Sequence, residues 1–373
     1  MENMHLPYRS ALSEYERQAE QLLDSWKAGD ADAIRLFRSH HPKFLDIRIT
    51  WLSKRMSEAE IRSVPIDLAD AQLAIARWYT FADWARLSEY VEAVNRADSP
   101  IYPFEAAVEA VITGDTAALK SWLREHPELV LARSTRVTHH DPPEHRATLL
   151  HYVAANGVEG HRQKSPKNAV EIARILLTAG AEPDALAGMY GGQQTTMNML
   201  VSSFHPAQAG VQVALVEILL DFGAKATTSA LMTALAHGYG DAANALVRRG
   251  ARVDSLAAAA GLGRFADAQL LLGGASREDR HRALALAAQH GHLEIVRLLM
   301  DAGEDPNRFN PEGNHAHSTP LHQAVAADHM DVVRLLVERG ARLDIEDTTW
   351  NGTPLGWAEH EGPTEIAEYL RGL

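Results

Sequence analysis

The chain has 373 residues, no cysteine and a formal charge of −13. The missing cysteine excludes disulfides, thiol nucleophiles and cysteine-ligated zinc, and the acidic balance argues against a nucleic-acid partner, whose phosphates need clustered Lys and Arg. With 46% hydrophobic residues the chain can bury a core, but it holds no run of about 18 apolar residues for a membrane span, and its start has neither the basic head nor the apolar stretch of a signal peptide.

Cytoplasmic location, with no membrane partner, is therefore the expectation. Residues 1–103 read as an N-terminal helical region. AEQLLDSWKAGDADAIRLFRSHHP gives a helix, a Gly-Asp turn and a second helix that closes near His-Pro. LADAQLAIARWYTFADWARLSEYVEAV gives another helical hairpin. Trp26, Trp51, Trp78 and Trp84, with Tyr79 and Phe81, are expected to form the core of a cap, because aromatic side chains at helical spacing are usually buried. NRADSPIYP, with its Pro and polar residues, marks the boundary.

From residue 104 to 373 one pattern recurs. FEAAVEAVITGDTAALKSWLREHP repeats the opening helix–Gly-Asp–helix unit. AVEIARILLTAGAEPD, VALVEILLDFGAKAT, HGHLEIVRLLMDAGEDPN and ADHMDVVRLLVERGARLD are amphipathic helices ending at Gly, where a left-handed cap suits a residue without Cβ. Several follow an Ala-rich partner helix such as TPLHQAVAADH, ALALAAQHGH or TPLGWAEHEG. Such a pair cannot bury its apolar face alone, whereas stacked neighbours can.

STPLHQAVAADHMDVVRLLVERGARLD, opening on Thr319, Pro320, Leu321 and His322, resembles the ankyrin repeat, and the whole is similar to multi-repeat ankyrin proteins found in bacteria. The resemblance covers roughly residues 104 to 373, with its motif sharpest in the last three repeats. It implies an all-α solenoid of stacked helix pairs with irregular β-hairpin fingers and an N-terminal helical cap, and usually a scaffold that binds a protein partner. It implies no particular reaction. In this family the His of the T-x-L-H start, here His151 and His322, serves internal hydrogen bonding.

The capping glycines Gly180, Gly223, Gly250, Gly274, Gly303 and Gly340 are unevenly spaced around the family period of about 33 residues. The closely spaced ones leave little room for fingers. The long connections predict fingers at 185–194 and 308–318, whose Tyr190, Gln193, Arg308 and Phe309, together with Trp350, are the candidate partner contacts. Two neighbouring repeats also lengthen the turn between their own helices, at 157–168 and 202–212. Turns of one kind stack along one edge of a solenoid, so these two are expected to meet. They bring His161, Arg162, Gln163, Lys164, Ser203, His205 and Gln212. Such a cluster of donors suits an anionic or polar ligand, with the Arg162 fork as leading contact. The competing reading is two long loops that brace each other.

Nineteen histidines raise the question of metal and acid–base chemistry. His139, His140 and His145 beside Asp141 and Glu144, and the pair His315 and His317, are the groups left without a simpler role. Their spacing matches no zinc motif, and no H-E-x-x-H, G-x-S-x-G or P-loop pattern occurs, so no metal and no cofactor are expected. Two functions remain. The first is a non-catalytic scaffold that holds a protein partner on its concave face and fingers. The alternative is an enzyme with a small-molecule site near the two lengthened turns, using His145, His161 or His205 as acid or base.

Overall fold

The structure, a computed structural model, describes residues 5–47, 51–155, 157–360 and 364–373. The chain forms two compact units, Met1–Ala224 and Lys225–Leu373. Both are built of helices, and among the described residues the one sheet is a two-stranded hairpin.

The first unit opens with Leu12–Ala28 and Ala31–His40. Gly29 breaks the chain between them in the left-handed region, and Asp30 caps the second helix by accepting the Asp32 and Ala33 N–H groups, both at 3.0 Å. Leu68–Trp78 and Trp84–Asn95 form the second helical hairpin. Leu22, Phe37, Phe44, Ile75, Tyr79 and Phe81 are buried there, with Trp26, Trp78 and Trp84 packed against them. Each large apolar side chain so buried contributes about 1.5–3 kcal/mol. Trp51 departs from the expected aromatic core. It is 65% exposed, two residues before Ser53, which bridges to Leu45. The boundary read near residue 103 falls inside this unit, where Trp84–Asn95 packs on Tyr102–Thr113.

Helix pairs follow. Tyr102–Thr113 pairs with Thr116–Glu125, Leu149–Val153 with Ala169–Thr178, and Thr196–Leu200 with Gln212–Asp221. First helices stack on first helices and second on second. The finger expected at 185–194 forms: Leu186–Met189 pairs antiparallel with Gly192–Thr195 around a two-residue tip. Tyr190 and Gly191 at that tip both have positive φ, the geometry whose twist matches a hairpin.

In the second unit five pairs stack in the same way: Thr228–Ala236 with Gly240–Arg248, Leu256–Gly261 with Phe265–Leu272, Arg277–Gln289 with Leu293–Asp301, Pro320–Ala326 with Met330–Glu338, and Pro354–His360 with Glu365–Arg371. The turn inside the last pair lies outside the described residues. Leu235, Leu246, Leu256, Leu284, Val296, Leu321 and Leu336 are buried along the stack. Polar rungs join successive repeats. His292 Nε2 meets the Gly261 carbonyl at 3.1 Å, and His329 Nε2 meets the Gln289 carbonyl at 3.1 Å. Each ring lies on a glycine of the preceding repeat. A Cβ on Gly291 would stand 2.7 Å from the His329 ring, so the position needs Gly for contact as well as for its φ of 74°.

Two expectations fail here. Gly274 is not a left-handed cap, since the helix before it runs into a right-handed Gly273 and Ser276 at once caps the next helix. Residues 308–318 form no β-hairpin. Asn310 N–H reaches across to the Ser318 carbonyl at 2.8 Å, but inside that closure the segment folds into turns, with Asn314 N–H donating to Pro311 and Ser318 N–H to His315, instead of extending a ladder.

Candidate functional site

The 157–168 turn does not open a pocket. It folds back on the helices that precede it. Its short 3₁₀ turn Gly160–Arg162 carries Arg162 into the interior, where the side chain is 4% exposed. Arg162 Nη2 donates to Glu105 Oε2 and to the Tyr90 hydroxyl, both at 2.6 Å, and Nη1 lies 3.2 Å from Glu159 Oε2. Tyr90 also donates to Glu105, at 2.8 Å. Arg136, from the 132–145 connection, lies 3.1 Å from the same Glu159 oxygen and donates to the Tyr79 carbonyl at 2.9 Å. Its guanidinium packs over the Phe81 ring at 4.1 Å and the Tyr90 ring at 4.7 Å. Glu159 Oε1 completes the network, accepting from the Tyr152 hydroxyl and from His145 Nε2, each at 2.8 Å. The His145 tautomer follows: Nδ1 accepts the Ala147 N–H at 3.2 Å, so Nε2 carries the proton.

Two guanidinium groups thus face two carboxylates, and the buried charge balances. Burial alone would push the Glu159 carboxyl up, but Arg136, Arg162 and the His145 hydrogen bond hold it well below the usual carboxylate range. His161 stacks on His5 at 5.2 Å and meets the Tyr79 ring at 5.5 Å. Burial, then the charges of Arg136 and Arg162, hold its imidazole well below the ordinary value, so it is neutral at pH 7. The space beside His145, Glu159 and Arg162 is about 20 Å³, room for roughly one water molecule.

The other expected ligand contacts also serve the fold. Gln163 donates to the Gly157 carbonyl. Ser203 is buried and donates to Ala155 at 2.9 Å, which ties the second lengthened turn to the base of the first. Gln212 donates to Leu200 and Ser203 carbonyls. Lys164 is exposed, and His205 sits beside the exposed Phe204 ring. Among the described residues no hydrogen bond joins His205 to the 157–168 turn, and Arg162 is buried while Lys164 is exposed. Sequence reasoning missed Glu105, Glu159, Arg136, Tyr90 and Tyr152. A signal was available for Glu105, a lone carboxylate in the otherwise apolar run FEAAVEAVI.

The second unit holds an open groove of about 1200 Å³. His290, His315 and His329 lie along it, and Trp350 and Trp357 stand at one end. That end is built by Asp347, whose carboxylate accepts the N–H groups of Trp350 at 2.6 Å, Gly352 at 2.7 Å and Thr349 at 2.9 Å, and the Trp357 Nε1–H at 3.0 Å. Burial would raise this carboxyl, but those four donors lower it. The Trp357 indole lies on Gly352, where a Cβ would come within 2.8 Å of the ring. Trp350 meets His317 edge-on at 5.1 Å and remains 56% exposed. Of the other expected partner contacts, Tyr190 is 59% exposed on the hairpin tip of the first unit, and Gln193 is exposed beside it. Arg308 stands 3.9 Å from Glu304, and Phe309 is 40% exposed; neither lines the groove. Among the described residues no three His, Asp or Glu side chains are grouped to hold a metal ion, and no helix is long and apolar enough to cross a membrane.

Stacked helix pairs with a left-handed turn after the second helix, a T-x-L-H start closed by its own histidine and a hairpin finger define a helical-repeat protein. In that start, Thr148 and Thr319 hydroxyls each meet the Nδ1 of His151 and His322 at 2.8 Å. Residues 284–337 match the family model for ankyrin repeats in many copies. The chain is 31% identical over 129 residues to cyclin-dependent kinase 4 inhibitor B of Rattus norvegicus, a span covering 27% of this chain and 95% of that protein. It is 29% identical over 215 residues to the ankyrin repeat and KH domain-containing protein mask-1 of Caenorhabditis elegans, covering 54% of this chain but 8% of that much longer protein. A likeness of 30% over 127 residues to human cyclin-dependent kinase inhibitor 2A covers 26% of this chain and 81% of that protein. The chain belongs to the ankyrin-repeat family.

Proposed function

We propose that the chain is a non-catalytic scaffold that binds a protein partner, with the groove of the Lys225–Leu373 unit as the working surface and the Tyr190 finger as a second contact. The observation that carries this reading is Trp350. It is a large aromatic side chain left exposed on the lining of a groove while its own backbone is fixed by Asp347, and exposed, preorganised Trp is the residue type that anchors interfaces. By their names, two of the relatives inhibit a cyclin-dependent kinase; only the kind of partner, a protein, is carried over. The cytoplasmic setting and the bacterial type belong to the same proposal and rest on the sequence reading, whereas the relatives named above are animal proteins.

The alternative, an enzyme built at the two lengthened turns, lacks support in the geometry. Arg162, Ser203 and Gln212 spend their polar atoms on this chain's own groups. The adjoining space of about 20 Å³ is too small for a substrate. The test is cross-linking mass spectrometry on the full chain incubated with cell extract. Cross-links to a partner should cluster around the groove and vanish with Trp350→Ala. Cross-links that persist unchanged in that variant, or that map to the 157–168 turn, would overturn the reading.

A further inference from the structure

Three of the histidines that line the groove have their ring protons assigned by geometry. His290 Nε2 lies 2.8 Å from the Leu235 carbonyl, His315 Nε2 lies 2.8 Å from the Ala236 carbonyl, and His329 Nε2 lies 3.1 Å from the Gln289 carbonyl. A carbonyl oxygen only accepts, so in each ring Nε2 carries the hydrogen. In a neutral imidazole the other nitrogen is then a bare acceptor. His237 is held by its other nitrogen, Nδ1, which donates to the Thr233 carbonyl at 2.9 Å. Burial holds His290 and His315 below the ordinary histidine value, which keeps both rings neutral at pH 7.

Two other features of the lining favour a donor ligand. The glycine at 240 leaves the Nδ1 side of His290 uncovered, since even a Cβ there would stand 3.7 Å from that atom. Asp241, on the groove lining and exposed, has no cationic partner among the described residues. Among the described residues no Lys or Arg lines the groove. Acceptor atoms, the Asp241 carboxylate and the exposed Trp350 therefore share the lining of one groove. A carboxylate ligand would find lone pairs facing its own. A guanidinium offers five donors and no acceptor, and its flat face stacks on indole.

We propose that this groove takes an arginine-bearing segment of a partner protein, with the guanidinium held between the imidazole acceptors and Asp241 and stacked on Trp350. The proposal deepens the scaffold reading and rests on it.

The test uses the full chain and a phage-displayed library of random short peptides. Enriched peptides are synthesised with a fluorescent label, and their binding is followed by anisotropy. The expected result is a shared Arg whose replacement by Gln weakens binding about tenfold or more, with a similar loss from Trp350→Ala and from Asp241→Asn in the protein. Both sites are exposed, and circular dichroism checks that the variants fold. Enriched peptides without Arg that still depend on Trp350 would overturn the arginine assignment and leave the scaffold reading standing. Arginine peptides indifferent to both substitutions would reveal only attraction to an acidic protein and overturn the proposal. A library that yields no binder would count against both readings.

Discussion

Arg162 was legible in the sequence as the cation of an insertion, and its fork does hold carboxylates. They are Glu105 and Glu159 of the same chain. Removing one member of a buried, balanced set strands an opposite charge, which costs about 3–5 kcal/mol. Arg162→Met should therefore lower the stability of the first unit by that amount, read from the urea midpoint. A midpoint within experimental error of the parent would show that the network contributes nothing. Asp347 allows a parallel prediction in the second unit. Asp347→Ala leaves four N–H groups without their acceptor, three of them on the main chain around Trp350. Each buried donor left unpaired costs about 1–3 kcal/mol, so a loss of a few kcal/mol is expected, with a change in Trp fluorescence as the indoles move. An unchanged spectrum would mean that Trp350 is held by other contacts.

The 157–168 turn is a brace between elements. Arg162 grips Tyr90 and Glu105 on two earlier helices, His161 stacks on His5, and Asn168 donates to the Gly114 carbonyl at 2.8 Å. Replacing residues 158–168 with a short Gly-Ser turn should loosen the N-terminal helices. Trypsin should then cut after the exposed Arg96 at least about tenfold faster, since local opening sets the rate of such cuts. An unchanged cutting rate would assign the hold to apolar packing alone. The helix pairs were readable because they rest on local chemistry, apolar spacing and a capping Gly, and the hairpin at 185–194 because its connection is long. The buried network was not. Glu105 and Arg136 are far apart in sequence, and no periodicity says that a connection will send an Arg inward. The second finger misled for a related reason. A long connection signals extra residues but not whether their N–H groups pair across a ladder or within turns, as those of Asn314 and Ser318 do.

Across the whole molecule the histidines make stability depend on pH in one direction. Burial lowers His40 and His151 to about 4 and His139 to about 3 from an ordinary 6.5, and lowers His161, His281, His290, His315 and His322 as well. A folded-state value below the unfolded one means that the unfolded chain takes up the proton first. Stability is therefore fully present above pH 6.5 and drains away as the pH falls toward the folded values, at up to about 1.4 kcal/mol per pH unit for each such histidine. Below about pH 4 the carboxylates of Glu159 and Asp347, held low by their donors, are protonated in turn and remove more. Urea midpoints taken from pH 7.5 down to 4 should stay level at first, then fall steeply below about 6. Replacing His151, which is 1% exposed, with Gln should remove one histidine's share of the slope. The unfolding of repeat stacks need not be a single step, so the onset is the quantity to compare. A midpoint that holds steady from pH 7 to 5 would show that these imidazoles accept protons in the folded state, and the neutral, acceptor-lined groove would lose its basis with them.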